Sequence, residues 1–213
     1  MVIERFEVGP MGNNVYLVVD EESGDAAIID PGLESDPALD RARERGWKVR
    51  AIINTHGHFD HVDRDAHFRQ QTGAELLIHA DDAPMLRALP QQAAWFGMSA
   101  GPAPAPDRLL RDGDEISVGR IRLRVLHTPG HTPGGVCLLT EPAESSPVLF
   151  SGDTLFAGSV GRTDFVGGDY ATLIRSIRER LLPLPDDTLV YPGHGPETTI
   201  GEERRSNPFV GGE

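Results

Sequence analysis

The apolar positions of the chain fall in short alternating or continuous runs, punctuated by breaks rich in glycine, proline and acidic residues. Residues 3–8, 16–19 and 26–29 are such runs, separated by Gly9-Pro10, Gly12-Asn13-Asn14 and Glu22-Ser23-Gly24-Asp25. This punctuation predicts antiparallel strands. Asp30-Pro31-Gly32 reads as a turn, and Ser35 with Pro37 opens a helix that Gly46 closes, with Leu39 and Ala42 on its inner face. The apolar run 49–53 returns as a buried strand. Beyond it, Asp63 or Asp65 is expected to cap a helix ending near Gly73, 75–78 is strand-like with His79 at its end, and a short helix covers 83–89. Residues 90–106 are rich in Ala, Gly and Pro yet hold Trp95, Phe96 and Met98, so they predict a loop packed over, or bordering, a site.

The second half repeats the plan. Strands at 115–118 and 121–126 are joined at Gly119-Arg120, and strands at 136–139 and 148–150 bracket a loop at 141–147. A helix over 170–182 carries Leu173, Ile174, Ile177, Leu181 and Leu182 at helical spacing, and 188–191 is the last strand. Antiparallel strands followed by strands alternating with helices, twice over, suit two sheets with helices on their outer faces. The expected architecture is therefore α+β in four layers. No Ser/Gly linker or composition break divides the chain, which predicts one domain over residues 1–213.

Metal-ligating residue types gather where the predicted strands end. The densest group is Thr55-His56-Gly57-His58-Phe59-Asp60-His61, directly after the 49–53 strand. Histidine is only intermediate among buried residue types and aspartate is rarely buried without a partner, so such a cluster calls for a cation. Neutral imidazole and carboxylate suit zinc, iron or manganese, whereas calcium and magnesium favour oxygen ligands. His131, Asp153 and His194 follow later strands in the same way. His79 and His127 also end strands and are expected to be hydrogen-bonded structural or ligand-orienting residues. His67, four residues after Asp63, is expected in a surface pair. Arg162 either binds a substrate carboxylate through two parallel hydrogen bonds or pairs with Asp164 or Asp169. Residues 130–135 lack the lysine of a phosphate loop and read as a turn that shapes His131.

Charge narrows the partners. A formal net charge of -13, from 33 acidic against 20 basic residues, opposes nucleic acid and anionic membrane and favours small-molecule chemistry. No apolar run approaches membrane-spanning length, and Glu4, Arg5 and Glu7 occupy the positions of an apolar leader, so a cytoplasmic protein is expected. Cys137, the one cysteine, excludes an internal disulfide and a Cys-rich zinc site and reads as core packing.

In this order, His56-x-His58-x-Asp60-His61, His131, Asp153 and His194 resemble the metallo-β-lactamase superfamily over nearly the whole chain. Gly161-Arg162-Thr163-Asp164-Phe165, Thr198-Thr199-Ile200-Gly201-Glu202 and Asn207-Pro208-Phe209 further resemble the short glyoxalase II-like, or hydroxyacylglutathione hydrolase-like, hydrolases. The resemblance implies an αββα sandwich with a metal centre on one edge. It implies that His56, His58 and His131 hold one metal, that Asp60, His61 and His194 hold a second, and that Asp153 bridges them. Asp60 and Asp153 are then the candidate catalytic carboxylates, and Arg162 the candidate substrate-binding residue. The implied cofactors are two divalent ions, zinc first, with iron or manganese as alternatives. The implied activity is hydrolysis of acyl thioesters by metal-bound hydroxide, and the implied partner is a small thioester such as a glutathione conjugate. An aspartate rather than a cysteine at the bridge points away from antibiotic hydrolysis, and the short stretch after His194 lacks the helical tail of full-length glyoxalase II. Val62-Asp63-Arg64 stands where many relatives have paired small residues, so Asp63 is expected to cap the following helix. Persulfide dioxygenases resemble the same scaffold and imply an alternative, a single iron at His56, His131 and Asp153. A non-catalytic metal-binding module is the third reading, opposed by the intact set of ligands.

Overall fold

The computed structural model describes residues 1–140 and 146–212, so residues 141–145 of the predicted loop lie outside the described residues. Two compact units emerge, Met1–Leu110 with Ser117–Ile121 and Arg111–Ile116 with Arg122–Glu213.

The first unit runs β1 (Val2–Val8), β2 (Asn13–Asp20), β3 (Asp25–Ile29), α1 (Asp36–Arg45), β4 (Lys48–Ile53), α2 (Phe59–Val62), α3 (Asp65–Thr72), β5 (Glu75–His79), α4 (Ala83–Arg87), α5 (Leu89–Trp95) and β6 (Arg108–Leu110). Its sheet keeps that order, β1-β2-β3-β4-β5-β6. Short turns make β1 to β3 antiparallel, whereas β3 to β6 are parallel because helical connections return the chain to the starting edge. The carboxyl ends of β3, β4 and β5 therefore share one edge. Helices α1 and α3 place Ala38, Leu39, Ala42 and Phe68 in one apolar cluster with Leu17, Ile28, Ile52, Leu76 and Ile78. The alternate residues Tyr16, Val18, Ala27, Ile29, Ile53 and Leu77 are buried as well. Burial of both faces explains why these strands read as continuous apolar runs.

The structure departs from two expectations and adds one strand. Neither Asp63 nor Asp65 caps α3: Arg64 holds the N-cap position, and Asp63 has helical dihedrals (φ −55°, ψ −33°). A side-chain cap needs the extended backbone that the passage from α2 into α3 does not offer. Residues 89–95 of the predicted helix end and loop form α5, with Pro90 in its first turn, where proline lacks only an N–H that no helical bond would use. β6, three residues long, has no apolar run to announce it.

The second sheet has the order β14-β13-β10-β9-β8-β7. Its strands are β7 (Glu115–Val118), β8 (Ile121–His127), β9 (Val136–Thr140), β10 (Val148–Gly152), β13 (Leu189–Pro192) and β14 (Thr198–Thr199), and β11 (Leu155–Phe156) pairs with β12 (Ser159–Val160). β8 and β10 are each antiparallel to β9, and β10 is parallel to β13. These three strands thus point the same way and end at one edge. Helix α6 (Tyr170–Ser176) continues as a π-helical turn over Ile177–Leu181, close to the predicted 170–182 helix. Its Leu173, Ile177 and Leu181 pack with Leu126, Cys137, Leu149, Val190 and Ile200. Helix α7 (Ile200–Ser206) was not foreseen, although Thr199-x-x-Glu202 is a capping signal: the Thr199 hydroxyl accepts the Glu202 N–H at 3.2 Å. No helix among the described residues is long and apolar enough to cross a membrane.

Candidate metal centre

The loop after β4 carries His56, His58, Asp60 and His61, and its geometry is set from the neighbouring strand exit. Asp30, at the end of β3, accepts the Thr55 N–H and the Thr55 hydroxyl, both at 2.7 Å, and lies 3.1 Å from His61 Nδ1. A carboxylate only accepts, so His61 carries its proton on Nδ1 and presents the lone pair of Nε2. The Thr55 hydroxyl hydrogen is directed at Asp30, so His56 Nδ1, 3.0 Å from that oxygen, is a donor too, and its Nε2 also presents a lone pair. The rings of His56 and His58 are 4.9 Å apart, and those of His56 and His61 4.2 Å apart. Asp30 adopts φ 54°, the left-handed region that aspartate tolerates better than most residues. The sequence marked Asp30 only as part of a turn.

The same loop is seated from below. Asn13 Nδ2 donates to the Asp60 carbonyl at 2.5 Å, and a Cβ at Gly32 would lie 1.5 Å from that oxygen. Only glycine fits at position 32, and Asn13 was likewise not singled out by the sequence.

In the second unit, His131, Asp153 and His194 converge. Asp153 Oδ2 is 3.6 Å from His131 Nε2 and 3.7 Å from His194 Nε2. The Arg162 carbonyl lies 2.7 Å from His131 Nδ1, and since a carbonyl only accepts, this ring too offers the lone pair of Nε2. Gly161 makes the approach possible, because a Cβ there would lie 1.9 Å from the Asp153 carbonyl. Gly130 (φ 132°) lets the loop before His131 press on Leu173 of α6. This supports the reading of 130–135 as a turn that shapes His131.

The donor set suits a transition-metal ion. The spacings of 3.6 and 3.7 Å, and 3.5 Å between His61 Nε2 and Asp60 Oδ2, are too long for hydrogen bonds. They match the ~3.4 Å between two donors that each sit ~2.1 Å from one tetrahedral ion. Imidazoles held by Nδ1–H partners, with carboxylates beside them, are the ordinary surroundings of such an ion.

The remaining candidates serve their surroundings. Arg162 pairs through Nε and Nη2 with Asp164, both at 2.6 Å, and lies 4.0 Å over the Phe165 ring. Hydrogen bonding to Arg162 holds the Asp164 carboxyl down to about 2. His67 contacts Asp36 at 3.0 Å, not Asp63 as expected, because α3 faces the start of α1 there. His79 Nδ1 accepts the Asp81 N–H, and His127 Nε2 donates to the Pro133 carbonyl. Cys137 is buried, which pushes its thiol up to about 11 and makes it an unreactive core residue.

Residues 8–194 match the metallo-beta-lactamase superfamily model, a span that includes both donor sets. The chain is 42% identical to hydroxyacylglutathione hydrolase GloC of Haemophilus influenzae, covering 99% of this chain and 98% of that one. It is similar to the crystal structure of the BLEG-1 B3 metallo-beta-lactamase, at 35% identity and TM-score 0.91 over 99% of this chain and 100% of that one. It is also similar to TTHA1623 in a di-iron-bound form, at 39% identity and TM-score 0.86 over 97% and 100% of the two chains. With ETHE1 from Myxococcus xanthus it shares 32% identity at TM-score 0.83, over 99% of this chain and 84% of that one. The α+β fold is thus of the metallo-β-lactamase type. With two strand edges that each deliver His and Asp donors at metal spacing, and with a family match running through both, the chain belongs to the metallo-β-lactamase superfamily.

Proposed function

We propose that this protein is a metal-dependent hydrolase of acyl thioesters, hydroxyacylglutathione hydrolase-like, with one dinuclear centre formed by both donor sets. His56, His58 and His131 are assigned to one ion and Asp60, His61 and His194 to the other, with Asp153 shared. The observation that carries this reading is the position of Asp153 Oδ2, 3.6 and 3.7 Å from two imidazole nitrogens assigned to different ions. Two divalent ions held there would supply a hydroxide source near neutral pH and Lewis-acid polarisation of a thioester carbonyl. The chain's own residues fix the tautomer and aim of His56, His61 and His131: the Thr55 hydroxyl, the Asp30 carboxylate and the Arg162 carbonyl hold the three Nδ1 protons. The Arg162 guanidinium, anchored by Asp164, offers its remaining N–H groups to a substrate carboxylate such as that of a glutathione conjugate. The kinship with GloC supports the thioester class. Zinc is the first choice of ion, and the di-iron form of TTHA1623 keeps iron beside it, with manganese behind. The lone buried Cys137 suits a reducing compartment, and the cytoplasm is the proposed location.

The similarity to ETHE1 favours a second reading, a persulfide dioxygenase with a single iron at His56, His131 and Asp153. The deciding experiment is elemental analysis of protein purified without added metal, combined with assays of thioester hydrolysis, oxygen uptake on a persulfide, and turnover of a chromogenic β-lactam. Two metals with thioester hydrolysis are expected. One iron with oxygen consumption would establish the second reading, and preferential β-lactam turnover would align the chain with BLEG-1.

A further inference from the structure

The ligand loop is held from a third side by residues far away in sequence. Asp82 Oδ2 accepts the Gly57 N–H at 2.9 Å. Gln92 Nε2 donates to the Gly57 carbonyl at 3.0 Å and to the Met85 carbonyl at 3.1 Å, while its Oε1 accepts the Phe59 N–H at 3.1 Å. Phe59 is the first residue of α2, whose N–H has no helical acceptor, so Gln92 supplies one. Both side chains are buried, Asp82 completely and Gln92 to 5% exposure. Helix α4 also presses directly on the loop: a Cβ at Gly57 would lie 2.7 Å from Met85 Cβ. These contacts bracket His58, fixing the backbone immediately before and after it.

A hairpin that only needed to pack would do so with apolar side chains. Here it instead buries a carboxylate and an amide and directs them at three main-chain groups of one loop. We propose that α4 and α5 brace the metal loop, with Gln92 and Asp82 as positioning residues that set the spacing of His56 and His58. This rests on the metal-centre reading above, but its mechanical part stands without metal.

The test uses the full chain. Amide exchange in metal-free wild type should show Gly57 and Phe59 strongly protected, although neither N–H belongs to a strand or helix ladder. Exchange at both within seconds would overturn the brace. In Gln92→Met, which keeps the volume and removes the polar groups, exchange at Phe59 should accelerate at least tenfold, and zinc affinity from chelator competition should weaken by about tenfold, as for other partners that orient ligands. Leu89→Ala, a buried change on the same helix without polar contact to the loop, controls for general destabilisation. It should lower the melting temperature at least as much while leaving zinc affinity within twofold of wild type. Equal weakening in both variants, or an unchanged zinc affinity in Gln92→Met, would show that the hairpin merely packs. Failure of the wild type to bind metal would instead sink the metal-centre reading and leave the exchange result to judge the brace.

Discussion

Asp153 and Asp30 show how differently two carboxylates act, each at the exit of a strand in its own sheet. Asp153 lies between two imidazole nitrogens at metal spacing, so Asp153→Ala is expected to cost more activity than any single histidine replacement and to lower metal occupancy. Retention of both metals with near-normal turnover would remove the bridge assignment. Asp30 acts through Thr55 and His61. Asp30→Ala should therefore weaken metal affinity by ~10–100-fold, measured by chelator competition, and Asp30→Asn, which still accepts from Thr55, should recover part of it. Asp65 is a third case. It is fully buried, and burial raises its pKa well above the ordinary value of 3.8, even though Asn54 donates to it at 3.1 Å. The folded state holds this proton more tightly than the unfolded chain does. Its stabilising effect is thus complete below about pH 3.8 and is lost as pH rises through the folded value. In metal-free protein, the stability of Asp65→Asn relative to wild type should rise with pH from that point. A pH-independent difference by chemical denaturation would contradict the assignment.

At the scale of elements, the close approach between the β3–α1 turn and the metal loop leaves no room for a side chain. A Cβ at Gly32 would sit 1.5 Å from the Asp60 carbonyl, so Gly32→Ala should displace the loop and abolish tight metal binding even where folded protein is recovered. The middle of helix α5 and its carboxyl-terminal end have different surroundings. Gln92 is buried against the metal loop, whereas Trp95 and Phe96 are 64% and 45% exposed. Phe96 stacks on Phe59 with centroids 6.3 Å apart. Trp95→Ala removes an exposed side chain, so the fold should lose little. If this end contacts substrate, KM should rise about tenfold, the equivalent of ~1.4 kcal/mol of apolar contact, with kcat nearly unchanged. A strong fall in kcat at constant KM would argue against a substrate-facing segment.

The whole molecule has a net charge of -13, part of which two divalent ions at the proposed centre would offset locally. Its pH dependence separates two kinds of loss. Water on a divalent metal titrates near pH ~7 in zinc hydrolases, whereas protonation of tightly held imidazoles requires more acid. As pH falls, activity should therefore decline first at constant metal content, and metal should leave later, restored only by adding it back. Activity and metal content falling together through one narrow pH range would leave ligand protonation as the whole explanation.

The histidine and aspartate spacing after β4, and the single candidate ligands after β8, β10 and β13, were legible in the sequence because metal binding demands particular residue types, and strand ends are marked by apolar runs that stop. The strands themselves were readable for the same reason, since burial on both faces leaves uninterrupted Val, Ile and Leu. What only the tertiary structure decided is how those donors are aimed. Asp30, Asn13, Asp82 and Gln92 lie 25 to 47 residues from the groups they hold. Asp and Asn in a turn, or Gln92 in a stretch rich in Ala and Pro, look the same in sequence whether they face solvent or a backbone amide. Caps failed for a related reason: Asp65 reads as a cap in the sequence, but the passage from α2 into α3 makes it the first residue inside the helix, where its side chain is buried and accepts from Asn54. Ligand identity is local chemistry and is written residue by residue, whereas ligand orientation depends on chain segments that meet only after the sheet has formed.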